Sequence, residues 1–130
     1  MKIIVCGGRD YDNAEYMTTV LDELHVTTEI TSLVHGDARG ADRMAAMWAH
    51  RNGIEVIPYP ADWNRYGDGA GHIRNAEMLQ ENPEMVIAFP GGGGTANMVK
   101  IAKKARIPTI EYDSEDDSFD DVWGSIIQGN

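Results

Sequence analysis

Apolar residues fall along this chain in two alternating rhythms. Short runs rich in branched side chains stand at residues 2–6, 30–35, 55–59, 85–89 and 108–112. Between them, apolar residues return every three or four positions. A short apolar run bounded by turn residues reads as a buried strand, and the longer spacing as a helix with one face on a core. Met17, Val20, Leu21 and Leu24 make one such face, in a helix that Asp12 or Asn13 can cap and that runs to about residue 25. Ala41, Met44, Ala45 and Trp48 make the next, over residues 41–52, with Gly53 placed to stop it. Further helices are expected over residues 73–80, 96–106 and 119–127, the second of these with Met98, Ile101, Ala102 and Ala105 on its stripe. Residues 60–71 show no periodicity and read as a long loop, of a length that is often functional.

Strands alternating with helices predict an α/β fold, a single Rossmann-like, doubly wound parallel sheet of about five strands with helices on both faces. Every strand-to-helix loop of such a fold emerges at one edge of the sheet. Residues 7–11, 36–40, 60–71 and 90–95 are therefore expected to converge there, where open parallel sheets bind ligands.

Length and composition narrow the classes. With 130 residues, 42% of them apolar, the chain reads as one domain over 1–130. No run of about eighteen apolar residues is present to span a membrane, and the opening Met-Lys-Ile-Ile-Val-Cys is too short for a signal peptide. The single cysteine, Cys6, can form no internal disulfide and fits a reducing, cytoplasmic setting. Its place in the first strand argues for core rather than nucleophile. The net charge of −10 is uneven. Residues 111–130 hold seven acidic groups and no Lys or Arg, while residues 1–110 hold fourteen acidic against eleven basic groups. A long nucleic acid, which needs many phosphate contacts, is disfavoured as a partner. A small ligand with one or two phosphates is not. The acidic segment itself reads as a solvated, solubilising edge.

Four loops carry unusual chemistry. In Phe89-Pro90-Gly91-Gly92-Gly93-Gly94-Thr95, four glycines join a strand to a helix, leaving backbone N–H groups bare where the helix dipole favours an anion. The plainer reading is a turn kept for tight packing. Gly7-Gly8-Arg9-Asp10-Tyr11 places a guanidinium beside two glycines, suited to a phosphate or to pairing with Asp10 or Asp37. Gly36-Asp37-Ala38-Arg39-Gly40-Ala41-Asp42 repeats the theme with Arg39, and Asp42 either caps its helix or meets ligand. In the long loop, Trp63 and Tyr66 suit stacking on a base or stapling the loop. The Gly-x-Gly-x-x-Gly dinucleotide fingerprint is missing from the first loop. His35, His72, Asp37 and Asp62 have no metal-ligand spacing, so no cofactor or metal is expected.

These motifs, together with Ala61-Asp62-Trp63 and Gly71-His72-Ile73-Arg74-Asn75, resemble the SLOG superfamily and within it the YspA-type branch. The resemblance implies a Rossmann-like fold binding nucleotides or nucleotide-derived ligands, common in bacteria and their phages. It also implies a possible homo-oligomer, for which the helix face bearing Met47 or Trp48 is available. Better-known relatives, the lonely-guy phosphoribohydrolases, cleave the N-glycosidic bond of nucleoside 5′-monophosphates. Their first signature is similar to His72-Ile73-Arg74-Asn75-Ala76-Glu77-Met78, which keeps a catalytic-type arginine at Arg74. Their second resembles residues 90–95, but the position of its catalytic Glu is Met98 here, beside Asn97.

Two functional readings follow. In the first, the protein senses or sequesters a small phosphorylated nucleoside, held by Gly7, Gly8, Arg9, Gly36, Arg39, Gly40, Asp42, Trp63, Arg74, Asn75, Pro90, Gly91, Gly92, Gly93, Gly94 and Thr95. In the second, it is a metal-independent N-glycosidase with Arg74 and a relocated carboxylate, chosen among Asp10, Asp42, Asp62 and Glu77, with Asp10 and Asp62 preferred on loop placement. An interaction module with relic loops is a third, plainer reading.

Overall fold

Five parallel strands lie in the order β3-β2-β1-β4-β5 in a computed structural model of the protein, which describes residues 1–112. In chain order the elements are β1 (Lys2–Cys6), α1 (Ala14–Thr27), β2 (Ser32–His35), α2 (Ala41–Arg51) and β3 (Glu55–Pro58). They continue through α3 (Trp63–Tyr66), α4 (Ala70–Leu79), β4 (Met85–Ala88), α5 (Gly93–Lys104) and β5 (Thr109–Glu111). The expected α/β fold with its five-stranded parallel sheet is present. The helix expected over residues 119–127 lies outside the described residues.

The central strand explains the rest. Ile3, Ile4 and Val5 are all fully buried, because β1 pairs with β2 on one side and β4 on the other and is covered on both faces. Ile3 and Val5 point into a core with Met17 and Leu21 of α1 and Ala45, Trp48 and Ala49 of α2. Ile4 and Cys6 point the other way, onto Met78 of α4 and Met98, Val99 and Ala102 of α5. The helices thus cover both faces, and each fully buried aliphatic side chain contributes about 1.5–3 kcal/mol.

The winding reverses between β1 and β4. From β1 the chain steps outward through β2 to β3, then crosses to β4 and steps outward again to β5. The loops after β1 and β4 therefore part above neighbouring strands, which opens a cleft at the sheet's carboxyl edge. Phe89, immediately after β4, anchors that edge. It stacks on Tyr112 at 5.4 Å, with Tyr11 at 5.4 Å and Tyr16 at 6.5 Å around it.

Local chemistry sets the helix ends. Asn13 caps α1 by accepting the Tyr16 N–H at 3.0 Å. Past the end of α2, Gly53 takes a left-handed φ of 68° that lets the chain turn into β3. Three expectations shift. The long loop contains a four-residue helix, α3, capped by Asp62, whose Oδ1 accepts the Arg65 N–H at 3.1 Å. Helix α4 starts at Ala70 rather than near residue 73, because Ala70 and Gly71 are small enough to be buried in its first turn. Helix α5 starts at Gly93 rather than Ala96, so two of the four glycines belong to the helix. On the expected stripe of α5, Met98 and Ala102 are buried, whereas Ala105 is exposed at the helix end.

Candidate functional site

A cleft of about 670 Å³ opens over β1 and β4, within the usual range for small-molecule sites. The loop after β1 forms one side and the start of α5 the other. Helix α4 supplies Gly71, His72, Arg74, Asn75 and Met78, and Trp63 stands at the margin.

Two kinds of glycine line or border it, Gly40 standing just outside the lining. The first kind serves the fold. Gly91 packs so closely on the β1 loop that a Cβ there would run into the Thr95 hydroxyl and lie 2.6 Å from the Gly8 nitrogen. Gly40, at φ 79°, lets the Gly8 and Arg9 carbonyls pass where a Cβ would stand. Gly7 meets Ala41, Gly8 meets Pro90 and Gly91, and Gly36 meets Arg74 and Asp42 in the same way. The second kind has no such demand. A Cβ on Gly92, Gly93 or Gly94 would meet nothing within 4 Å, and none of the three has a positive φ.

The start of α5 is correspondingly bare. Gly92 occupies the N-cap position with no side chain to cap, and the first bond into the helix is Ala96 N–H to the Gly92 carbonyl at 3.0 Å. The N–H groups of Gly93, Gly94 and Thr95 have no acceptor among the described residues. These donors, at the positive end of the helix dipole, border the cleft.

Arg74 is fixed within the cleft wall. Its Nη1 donates to the Gly36 carbonyl at 2.5 Å and its Nε to Asn75 Oδ1 at 3.0 Å. Burial lowers its pKa from the ordinary value, and the nearby Asp42 carboxylate opposes that. Asn75 is buried and works as a tie. Its Nδ2 donates to the Gly94 carbonyl and to Asn97 Oδ1, both at 3.0 Å, fastening α4 to the start of α5.

Asp42 is the buried carboxylate of the site, only 5% exposed. Burial pushes its pKa up to about 6, against the N–H of Ala38, the Arg74 guanidinium and the N–H of Gly36, which favour the charged form. Cys6, on the cleft floor, is a thiol whose pKa burial raises, which makes it inert as a nucleophile. His35 accepts the Asp37 N–H on Nδ1 at 2.9 Å, and burial lowers its pKa, so it is a neutral packing group at the end of β2.

The remaining candidates separate. Arg9 lies 5.1 Å from the centre of the Trp63 ring and makes no hydrogen bond or ion pair with described residues. Arg39 does not line the cleft. It pairs with Asp10 at 3.3 Å, with both side chains largely exposed. Asp10 borders the cleft, whereas Asp62 is spent on capping α3 and borders none of it. Trp63, 47% exposed, faces the cleft, and Tyr66 instead carries Arg65 at 5.1 Å. Pro90 and Thr95 line the cleft beside the glycines. Met98 is fully buried in the core. Glu77 is exposed on α4 outside the cleft. Asp68 and Met78 line it without having been named as site residues from the sequence; Asp68 sits in no motif, and Met78 closes the 72–78 signature but carries no polar group. Among the described residues no three His, Cys, Asp or Glu side chains come together to hold a metal ion, and no helix is long and apolar enough to cross a membrane.

Residues 1–66 match the family described as YAcAr: YspA, cpYpsA-related SLOG family. That stretch holds the first two loops and Trp63, and it ends before Arg74 and the glycine run. The Gene 61 protein of Mycobacterium phage D29 is 36% identical over 119 residues, which span 85% of this chain and 95% of that protein. No solved structure matches.

Proposed function

The chain belongs to the YspA, cpYpsA-related SLOG family, and from that premise we propose that it binds a small phosphorylated nucleoside in the cleft over β1 and β4. The observation that carries this reading is the bare start of α5, where three glycines whose Cβ positions meet nothing leave N–H donors without acceptors among the described residues at the border of a cleft. The phosphate sits on those donors. Arg9, with no acceptor among the described residues, turns to it as a guanidinium fork, while the preset Arg74 adds charge from α4. The base lies against Trp63, displacing or sharing its contact with Arg9. The protein acts as a sensor or a sequestering domain.

The test is a thermal-shift panel of AMP, GMP, ADP-ribose, NAD, ATP and cyclic nucleotides. A ligand at about a hundred times its dissociation constant adds roughly 2.7 kcal/mol, a rise of several degrees for a domain this size. A shift with one nucleotide class, weakened about tenfold or more in affinity by Arg9→Ala, supports the reading. No shift with any of them overturns it.

Asp42 favours a second reading, an N-glycosidase acting on a nucleoside 5′-monophosphate. A carboxylate close to neutral pKa on the cleft wall, beside Arg74, is placed to stabilise an oxocarbenium-like state or to share a proton with the leaving base. It replaces the preference for Asp10 and Asp62. Free base and ribose 5-phosphate would form without added metal, and Asp42→Asn would abolish turnover while leaving the nucleotide-induced thermal shift. Turnover that survives Asp42→Asn contradicts this second reading.

A further inference from the structure

A second hollow, of about 530 Å³, adjoins the cleft and shares Arg9, Arg74, Gly36, Ala38 and Trp63 with it. Its own contribution comes from the loop before α2 and the first turn of that helix, with Arg39, Arg43 and Asp37, closed by Pro60 and Ala61. Four of the chain's seven arginines meet this hollow, although the chain as a whole carries a net charge of −10. Asp37 is the one carboxylate among the described residues lining it.

Arg74 is held by the Gly36 carbonyl and Asn75, but the other three arginines are not locked there. Arg43 Nε lies 3.7 Å from Asp37 Oδ1 and its Nη2 donates to the Asp37 carbonyl at a long 3.4 Å. Arg39 reaches Asp10 at 3.3 Å. These side chains are largely exposed, and such pairs exchange readily for a stronger acceptor. Arg9 brings a guanidinium with no protein acceptor among the described residues. A dianionic phosphate offers all of them a shorter, charge-assisted bond. The plainer account, surface arginines neutralising neighbouring aspartates, explains Arg39 and Arg43 singly. It does not explain why they share a hollow with Arg9 and Arg74.

We propose that this hollow is a second anion subsite, taking a phosphomonoester on the 2′- or 3′-oxygen of a nucleotide whose 5′-phosphate lies at the start of α5. The inference rests on the nucleotide reading of the first cleft. Trp63 stands on the wall common to both hollows, so a nucleoside against its ring carries its 5′-phosphate toward Gly92–94 and its other hydroxyls toward Arg39 and Arg43. Arg39 and Arg43 both line only the second hollow, but Arg39 is paired with Asp10 of the first cleft, which leaves Arg43 as the residue that separates the two sites.

Isothermal titration of the full chain tests this. The probes are the best-binding nucleoside 5′-monophosphate among those of adenine, guanine, cytosine and uracil, its 2′,5′- and 3′,5′-bisphosphates, and its 5′-diphosphate. One bisphosphate is expected to bind at least tenfold tighter than the monophosphate, and which of the two does so fixes the position. Arg43→Ala should remove most of that gain while leaving monophosphate affinity within about twofold. Any advantage of the 5′-diphosphate should survive the substitution. Bisphosphates no tighter than the monophosphate, or a gain that persists in Arg43→Ala, would overturn the second subsite alone. Failure of every probe to bind would overturn the reading of the first cleft together with it.

Discussion

Helices α2 and α5 both have glycine at the N-cap and both start at the same sheet edge, yet the protein treats the two starts differently. At α2, the Ala41 N–H donates to the Gly8 carbonyl at 3.1 Å, and the Ala38 N–H just before the helix donates to the Asp42 carboxylate at 3.3 Å. Gly40 is there because the Gly8 and Arg9 carbonyls occupy the space of a side chain. At α5, three N–H groups have no acceptor among the described residues, and a Cβ on Gly92, Gly93 or Gly94 would stand in open space. The lesson is that a glycine-led helix start is not in itself a binding site. The start of α2 is a joint of the fold, and the start of α5 is where a ligand has room to approach the backbone.

Substitutions can break or sharpen that contrast. The largest effect is expected at the closed start. Gly40→Ala combines a positive φ with a collision against backbone, each costing on the order of 1–3 kcal/mol. The melting temperature should fall by about 10 °C. A variant as stable as the parent would show that the two loops are not pinned together.

Asp42 makes the closed start pH-dependent. Its folded pKa of about 6 lies above the ordinary carboxylate value, so the folded protein binds more protons than the unfolded chain between about pH 4 and 6. The associated stability is fully present below the unfolded pKa and is lost as pH rises through about 6. Holding that proton in the folded state corresponds to roughly 3 kcal/mol. Denaturant titrations should show this decline in the parent and a flatter profile in Asp42→Asn, and equal slopes in the two would contradict the burial argument.

A smaller effect is expected at the strut between the two helices of the open side. Asn75→Ala removes the amide that holds the Gly94 carbonyl and Asn97, which should cost about 1–3 kcal/mol. Nucleotide affinity should drop with it, as the start of α5 loses its support. Lost affinity with unchanged stability would instead make Asn75 a direct ligand contact.

Much of the fold was legible in the sequence, because apolar periodicity reports burial directly. Ile3, Ile4 and Val5 could only be a strand covered on both faces, and Met98 read correctly as core. Helix α3 was invisible because four residues span barely one turn, too few to show a period. The starts of α4 and α5 were read late because glycine signals a loop, while here Gly71 is wanted for its size and Gly93 and Gly94 sit in a helix. The site was legible as an edge but not as a set of roles. Sequence places Arg9 and Arg39 on the same edge, but only packing shows Arg9 without an acceptor among the described residues and Arg39 tied to Asp10. Asp62 and Asp42 each precede or open a helix, and nothing in the sequence tells that one is an exposed cap and the other a buried carboxylate. Arg43, in the first turn of α2 and four residues beyond Arg39, could have been found by its nearness to that loop.

The most direct test of the open start is Gly93→Ala, measured for both apo stability and nucleotide affinity. With no steric conflict in the protein and a helical backbone, the alanine should stabilise the apo form by about 0.5–1 kcal/mol. The same methyl group should obstruct a phosphate at the start of α5 and weaken binding at least tenfold. A more stable variant that binds nucleotide more weakly is the result this account predicts. A more stable variant with undiminished affinity would contradict it and return the glycine run to a packing role.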